Sequence, residues 1–349
     1  MKDFSARLIA WHRHHGRHDL PWQRTRDPYR VWLSEVMLQQ TQVGTVIPYY
    51  ERFLERFPDV AGLARASLED VMRLWAGLGY YSRARNLHQA AKTVVDRHGG
   101  EFPTSRHKLE TLPGIGRSTA AAIAVFASGA REAILDGNVK RVLARHFAVG
   151  GFPGNKAVEH ALWSLAEALV PKGSARTGTY TQALMDLGAT VCTRAAPACG
   201  RCPLASSCVA LARGQVADHP APRPRRATPV RSVTMLLILR QGKILLETRP
   251  PRGIWGGLWS LPEMPPGDAV SAHCAARLGC EIDTPVELQP LRHAFTHFTL
   301  DIRPCRCEVL RTLPIAGEPG RAWFTLEQAR DAGVPAPVKK LLDRLVAGA

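Results

Sequence analysis

Leu112-Pro113-Gly114-Ile115-Gly116-Arg117-Ser118-Thr119 joins two helical segments of the 349-residue chain. Two glycines flanking one aliphatic residue let a backbone turn tightly and approach a ligand closely. The amides that open the following helix point outward and make a site for an anion. A plain turn between helices and a phosphate-binding hairpin both fit these eight residues. Working outward, Leu87 to His98, Ser118 to Ser128 and Val139 to Phe147 read as helices. Asp27-Pro28, a capping carboxylate followed by proline, predicts a helix over Tyr29 to Thr41. Val158, Leu162, Leu165 and Leu169 recur at steps of three and four, the mark of an amphipathic helix. No strand pairs are expected before residue 212.

The composition then changes. Residues 213–231 hold four prolines, five arginines and one aspartate, and predict an extended basic linker. Either a solvated spacer or a strap against a polyanion fits it. Beyond it, Ser232 to Leu239 and Lys243 to Thr248 flank Gln241-Gly242 as a hairpin. Ala294 to Leu300 and Pro304 to Leu310 read as further strands, and Asp268 to Leu278 and Val338 to Val346 as helices. The expected organisation is a helical region over 1–212, the linker over 213–231 and an α+β domain over 232–349.

Lysine and arginine total 46 against 30 acidic residues, a formal charge of +16. Such a surplus favours polyanionic partners, because each neutralised phosphate releases counterions. A hydrophobic share of 45% excludes a mainly disordered chain. The opening Met1-Lys2-Asp3-Phe4 has no signal-peptide core, and apolar runs such as Ser118 to Ala130 are too short to span a bilayer. A soluble cytoplasmic protein with no membrane partner is expected. His12, His14, His15 and His18 lack the spacing of a metal site and read as a solvated basic helix.

Cys192, Cys199, Cys202 and Cys208 leave gaps of six, two and five residues. A structural zinc site normally presents two short knuckles, and only one short pair occurs here. Four thiolates in one loop of a helical domain suit an iron–sulfur cube better. An electron-transfer ferredoxin is the other home for such a cluster, but those are small and acidic, whereas this loop carries Arg194 and Arg201. Cys274, Cys280, Cys305 and Cys307 are read as free thiols.

Two carboxylates stand out. Glu35 sits within Val31-Trp32-Leu33-Ser34-Glu35-Val36-Met37-Leu38, where desolvation would raise its pKa towards neutrality and make it a proton donor. An ordinary surface glutamate on the polar stripe is the competing reading. Asp136, in Leu135-Asp136-Gly137-Asn138-Val139, is a natural N-cap, and capping amides also keep a carboxylate ionised and oriented. One protonated and one ionised carboxylate is the pairing that glycosidic cleavage requires.

Taken in order, Glu35-Val36-Met37-Leu38-Gln39-Gln40-Thr41, Gly77-Leu78-Gly79-Tyr80-Tyr81, the hairpin, Leu135 to Val139 and the four cysteines resemble the MutY-type adenine DNA glycosylases. These belong to the endonuclease III-like helix–hairpin–helix superfamily and carry a C-terminal Nudix-like domain. The resemblance implies hydrolytic removal of adenine mispaired with 8-oxoguanine or guanine from double-stranded DNA, by a monomeric enzyme that flips the base out. It implies that Glu35 protonates adenine, that Asp136 stabilises the oxocarbenium-like sugar, and that Asn138 helps position it. Gln39, Gln40 and Tyr80 map to residues that fill the vacated stack or wedge beside the lesion, and Gly114 and Gly116 to the phosphate-gripping hairpin. Cys192, Cys199, Cys202 and Cys208 map to the ligands of one [4Fe–4S] cluster, structural and DNA-binding in role.

Ser118 stands where endonuclease III carries the lysine that forms a Schiff base and cuts the strand. A hydroxyl cannot form that imine, so a glycosylase without strong lyase activity is expected. Phe295-Thr296-His297 aligns with the loop that senses 8-oxoguanine, with threonine replacing serine. Gly267 to Cys280, where a Nudix hydrolase carries its glutamate-rich metal box, holds Asp268 alone, which leaves recognition as the expected role of the domain. A pyrimidine glycosylase/lyase and a non-enzymatic damage-binding protein remain the alternatives.

Overall fold

A computed structural model describes residues 2–224, 228–250, 253–295, 297–313 and 320–347. Thr296 lies outside the described residues. The chain divides into two units: Met1–Arg65 with Asn86–Arg225, and Ala66–Arg85 with Arg226–Ala349.

Helices fill the first half of the chain. They are α1 (Lys2–His15), α2 (Pro28–Leu38), α3 (Val43–Arg56), α4 (Val60–Arg65), α5 (Leu68–Trp75) and α6 (Ser82–His98). α7 (Arg106–Leu109), α8 (Arg117–Ser128), α9 (Gly137–His146), α10 (Lys156–Leu169), α11 (Ser174–Asp186) and α12 (Val209–Ala212) follow. α2 begins where Asp27-Pro28 places it, with the Asp27 carboxylate accepting the Tyr29 amide at 2.9 Å. It ends at Leu38, three residues before the expected end, because Gln39 leaves the helical region and Gln40 turns left-handed at φ 58°. The core of the first unit gathers Ala121, Leu135, Val139, Leu143, Leu162 and Leu184, which draws α8, α9, α10 and α11 together.

The basic segment after Ala212 is not extended throughout. Residues 216–218 form a 3₁₀ turn, and the His219 ring lies 3.1 Å from the Val149 carbonyl. Arg145, buried on α9, donates to the carbonyls of Val216 and His219.

The second unit is built on a mixed sheet. β1 (Val230–Arg240) and β2 (Lys243–Thr248) pair in antiparallel register across Gln241-Gly242. Both turn residues have positive φ, at 48° and 72°, as a type I′ hairpin requires. β3 (Trp259–Ser260), β4 (Glu263–Met264), α13 (Val270–His273), β5 (Cys280–Ile282), β6 (Val286–Glu287) and β7 (Leu291–Ala294) come next. The long β8 (Thr299–Thr312) pairs in parallel with β1 and is followed by β9 (Arg321–Thr325), α14 (Leu326–Asp331) and α15 (Ala336–Ala347). The main strand order is β3-β2-β1-β8-β5.

One expected strand is corrected. Ala294 ends β7 and Thr299 opens β8, and the two pair in antiparallel register: the Phe295 amide donates to the Phe298 carbonyl at 2.8 Å, and the two rings stack 4.4 Å apart. Alternating faces cannot show such a turn, since both hairpin arms keep the same period. Cys274, Cys280, Cys305 and Cys307 are free and buried together beneath this sheet.

Candidate active site

Glu35, Gln39, Ser118, Asp136 and Asn138 line one cavity of about 570 Å³ in the first unit. α2 contributes Glu35, the start of α8 contributes Ser118, and the cap of α9 contributes Asp136. Residues a hundred positions apart in sequence thus converge on one slot.

The two carboxylates sit in unlike surroundings. Among the described residues none donates a hydrogen bond to Glu35, and burial, with the nearby Asp136 charge second, pushes its carboxyl up to about 8. Burial also raises Asp136, but hydrogen bonds and a nearby cation oppose it. The Val139 amide lies 2.7 Å from Oδ1, the Asn138 amide group 3.5 Å from Oδ2, and the Arg141 guanidinium adds its charge. The donors and the cation beside Asp136 favour its ionised form, and Glu35 has no such support, so Glu35 is the readier of the two to hold a proton.

The surroundings of Asp136 are fixed from several sides. Arg141 donates to Asn138 Oδ1 at 2.8 Å, to the Gly188 carbonyl at 2.7 Å and to the Cys192 carbonyl at 2.7 Å. A Cβ at Gly188 would lie 2.6 Å from the Asn138 Cβ, so only glycine admits this approach. The Ser118 hydroxyl accepts the Leu135 amide at 2.9 Å and so ties the hairpin to the residue before Asp136.

Gly114 has φ +78° and its absent Cβ would sit 2.7 Å from the Asn86 side chain, which makes glycine obligatory twice over. Gly116 caps α8 with no side-chain hydrogen bond, leaving the first amides of that helix for a ligand. Arg117 lies over the Trp163 ring at 3.8 Å and pairs with Glu167, holding the hairpin against α10. Gln39 donates to Thr119 at 3.3 Å, while Gln40 is exposed.

Tyr80, Phe295 and His297 belong to the second unit. Tyr80 is 47% exposed with φ 49°, a large ring held out in a strained conformation. Phe295 is partly buried against Trp255, His293 and Phe298, and His297 is exposed.

The four cysteines of residues 192–208 line one small apolar void with Arg145 at its wall. Arg145 donates to Cys192 Sγ at 3.5 Å and to the Thr193 and Arg194 carbonyls. Among the described residues no group of three or more such side chains is arranged to hold a single ion. Tetrahedral zinc would draw its sulfurs to about 3.8 Å of each other; a cube of four irons spreads them wider, and the donor set fits it.

Arg17, Trp22 and Gln182 also line this cavity, and the sequence does not single them out. Arg17 and Gln182 both bond the fully buried Asp186, at 2.6 and 2.9 Å. His12, expected to be solvated, is buried 3.3 Å from the same carboxylate. Gln182 and Asp186 stand one turn apart on α11, a partly buried amide and a buried carboxylate at a spacing that the helical period offers as a signal. Trp22 lies in a single 3₁₀ turn with no period to read.

Both halves of the chain have recognisable relatives. Residues 33–168 match the model of the HhH-GPD superfamily of base excision DNA repair proteins, and residues 233–344 that of the NUDIX domain. An adenine DNA glycosylase of Buchnera aphidicola is 36% identical, with 98% of this chain and 96% of the relative covered.

The chain belongs to the adenine DNA glycosylases.

The Homo sapiens adenine DNA glycosylase is likewise 36% identical, covering 97% of this chain and 73% of its own. Among solved structures, a thermostable thymine-DNA glycosylase superposes with a TM-score of 0.54 at 30% identity, covering 61% of this chain and 96% of its own. As a member of the adenine DNA glycosylases, the chain is a base-excision enzyme whose partner is DNA. Among the described residues no helix is long and apolar enough to cross a membrane.

Proposed function

We propose that the enzyme, acting as a monomer, removes adenine opposite 8-oxoguanine or guanine and leaves an abasic site. The observation that carries this reading is the placement of Glu35 and Asp136 in one cavity, the first without hydrogen-bond donors among the described residues and the second held by several. Adenine is a poor leaving group until its ring is protonated, and Glu35 is the acid available at neutral pH. As the glycosidic bond lengthens, positive charge grows on the sugar, and Asp136 supplies the fixed anion. Asn138 and Arg141 hold that anion in place. Ser118 is a positioning residue, since its hydroxyl is engaged by Leu135. Among the described residues no lysine lines the cavity, which supports simple hydrolysis over an imine-forming lyase.

Gly114, Gly116 and the amides of α8 suit a DNA phosphate. Gln39, Gln40 and Tyr80 suit the gap left by an extruded base. Phe295 and His297, with Thr296, suit contact with the opposing lesion. Cys192, Cys199, Cys202 and Cys208 would hold one [4Fe–4S] cluster, whose bound form would stiffen the loop that carries Arg194 and Arg201.

Duplexes holding adenine opposite 8-oxoguanine, adenine opposite guanine, and thymine glycol test the reading. Free adenine from the first two alone is the expected result. Pyrimidine release with borohydride-trappable strand cleavage would identify a lyase, and binding without release a damage-binding protein.

A further inference from the structure

A second cavity, of about 630 Å³, meets the catalytic one at Glu35. Both are walled by Arg17, Trp22, Glu35 and Gln182. Three helices run past this shared ring. On α2, Val31 and Ser34 face the second cavity and Leu38 the catalytic one. On α11, Gly178 and Thr179 face the second and Met185 the catalytic one. On α8, Val125, Phe126 and Ser128 face the second, and Ser118, Thr119 and Ala122 the catalytic one. Ten residues of helix separate Ser118 from Ser128, about 15 Å along the axis. The catalytic cavity lies against the hairpin end of α8, and the second against its other end.

We propose that this second cavity is a rear port through which the excised neutral purine leaves while the DNA product still covers the front. The inference rests on the reading of the front cavity as the base pocket. Size decides between water and base: a single water occupies about 30 Å³, whereas cavities of 300–1,000 Å³ suit small organic molecules. The walls match a purine. Trp22 and Phe126 offer aromatic faces, and Thr25, Ser128 and Gln182 offer groups for its polar edges. Passage requires the ring of Arg17, Trp22 and Gln182 to yield, and Gln182, tethered to Asp186 by one hydrogen bond, is the side chain that swings most readily.

Gly178 gives the means to test this. A Cβ there would meet nothing within 4 Å, and the residue has no positive φ, so α11 accepts a larger side chain that fills the port. With full-length enzyme in excess over a duplex holding adenine opposite 8-oxoguanine, cleavage is followed by quenching. Free adenine is followed by rapid filtration that retains protein and DNA. The wild type should pass adenine into the filtrate while the abasic product stays bound. Gly178→Trp should cleave within about twofold of the wild-type rate yet release adenine at least tenfold more slowly, in step with DNA dissociation. Wild-type adenine that emerges only with the DNA would overturn the port, as would a Gly178→Trp enzyme that releases it at full speed. If tryptophan disrupts α11, Gly178→Leu and the wild-type time course decide the matter. Absence of adenine cleavage in the wild type would remove the proposed function itself, whereas normal cleavage with coupled release removes the port alone.

Discussion

The Ser118 hydroxyl accepts the backbone amide of Leu135 at 2.9 Å, so the N-terminal end of α8 and the residue preceding Asp136 are tied together. Ser118→Ala leaves that amide unsatisfied beside a buried leucine, a loss of about 1–3 kcal/mol. A lower Tm is expected, with single-turnover cleavage slowed about tenfold as Asp136 loses its registration. Thermal unfolding and quench kinetics check the two effects separately.

As the proposed general acid, Glu35 would act in its protonated form. Its carboxyl is raised to about 8, so the protonated fraction is high at neutral pH and falls as pH climbs through that value. Cleavage should fade on the alkaline side with an apparent pKa near 8. The acid limb should reflect Asp136, whose carboxyl is also raised by burial and must be ionised. Glu35→Gln should bind the mispaired duplex and lose at least about 100-fold in rate with no alkaline limb left. A retained limb would assign the titration elsewhere.

Asp186 is fully buried between His12, Arg17 and Gln182. Burial raises its carboxyl, but the close His12 ring and the hydrogen bonds from Arg17 prevail and hold it below the ordinary value. Its contribution to stability is therefore present above the unfolded value of about 3.9 and disappears as pH falls through the folded one. Asp186→Asn should cost about 3 kcal/mol, the low end for a broken buried pair because Arg17 is a quarter exposed. Urea denaturation at pH 7 measures it.

Gly114→Ala combines a left-handed backbone with a 2.7 Å clash against Asn86. The hairpin should distort, and binding to matched and mispaired duplexes should weaken by the same factor, since phosphate contacts carry no sequence information. A change in the preference between the two duplexes would contradict the phosphate assignment.

Local chemistry made much of this legible. Asp27-Pro28 and Gln241-Gly242 act through dihedrals and hydrogen bonds within four residues, so sequence alone locates them. Glu35 was legible as an oddity, an acid among Val31, Trp32, Leu33 and Met37. Its partner's proximity was not, because no local rule measures the distance from α2 to the cap of α9. The turn at Phe295 depends on ring contacts with Phe298 and Trp255. The grouping of Ala66–Arg85 with the second unit depends on long-range contacts such as the 3.0 Å bond from Trp259 to Glu69. His12 was misread because its burial comes from Asp186, 174 residues away.

Arg145 spreads one cation over the carbonyls of residues 193, 194, 216 and 219 and the sulfur of Cys192. A fragment that stops at Ala212 would keep all four thiols yet lose the Val216 and His219 carbonyls, leaving a buried guanidinium two acceptors short beside the cysteine loop.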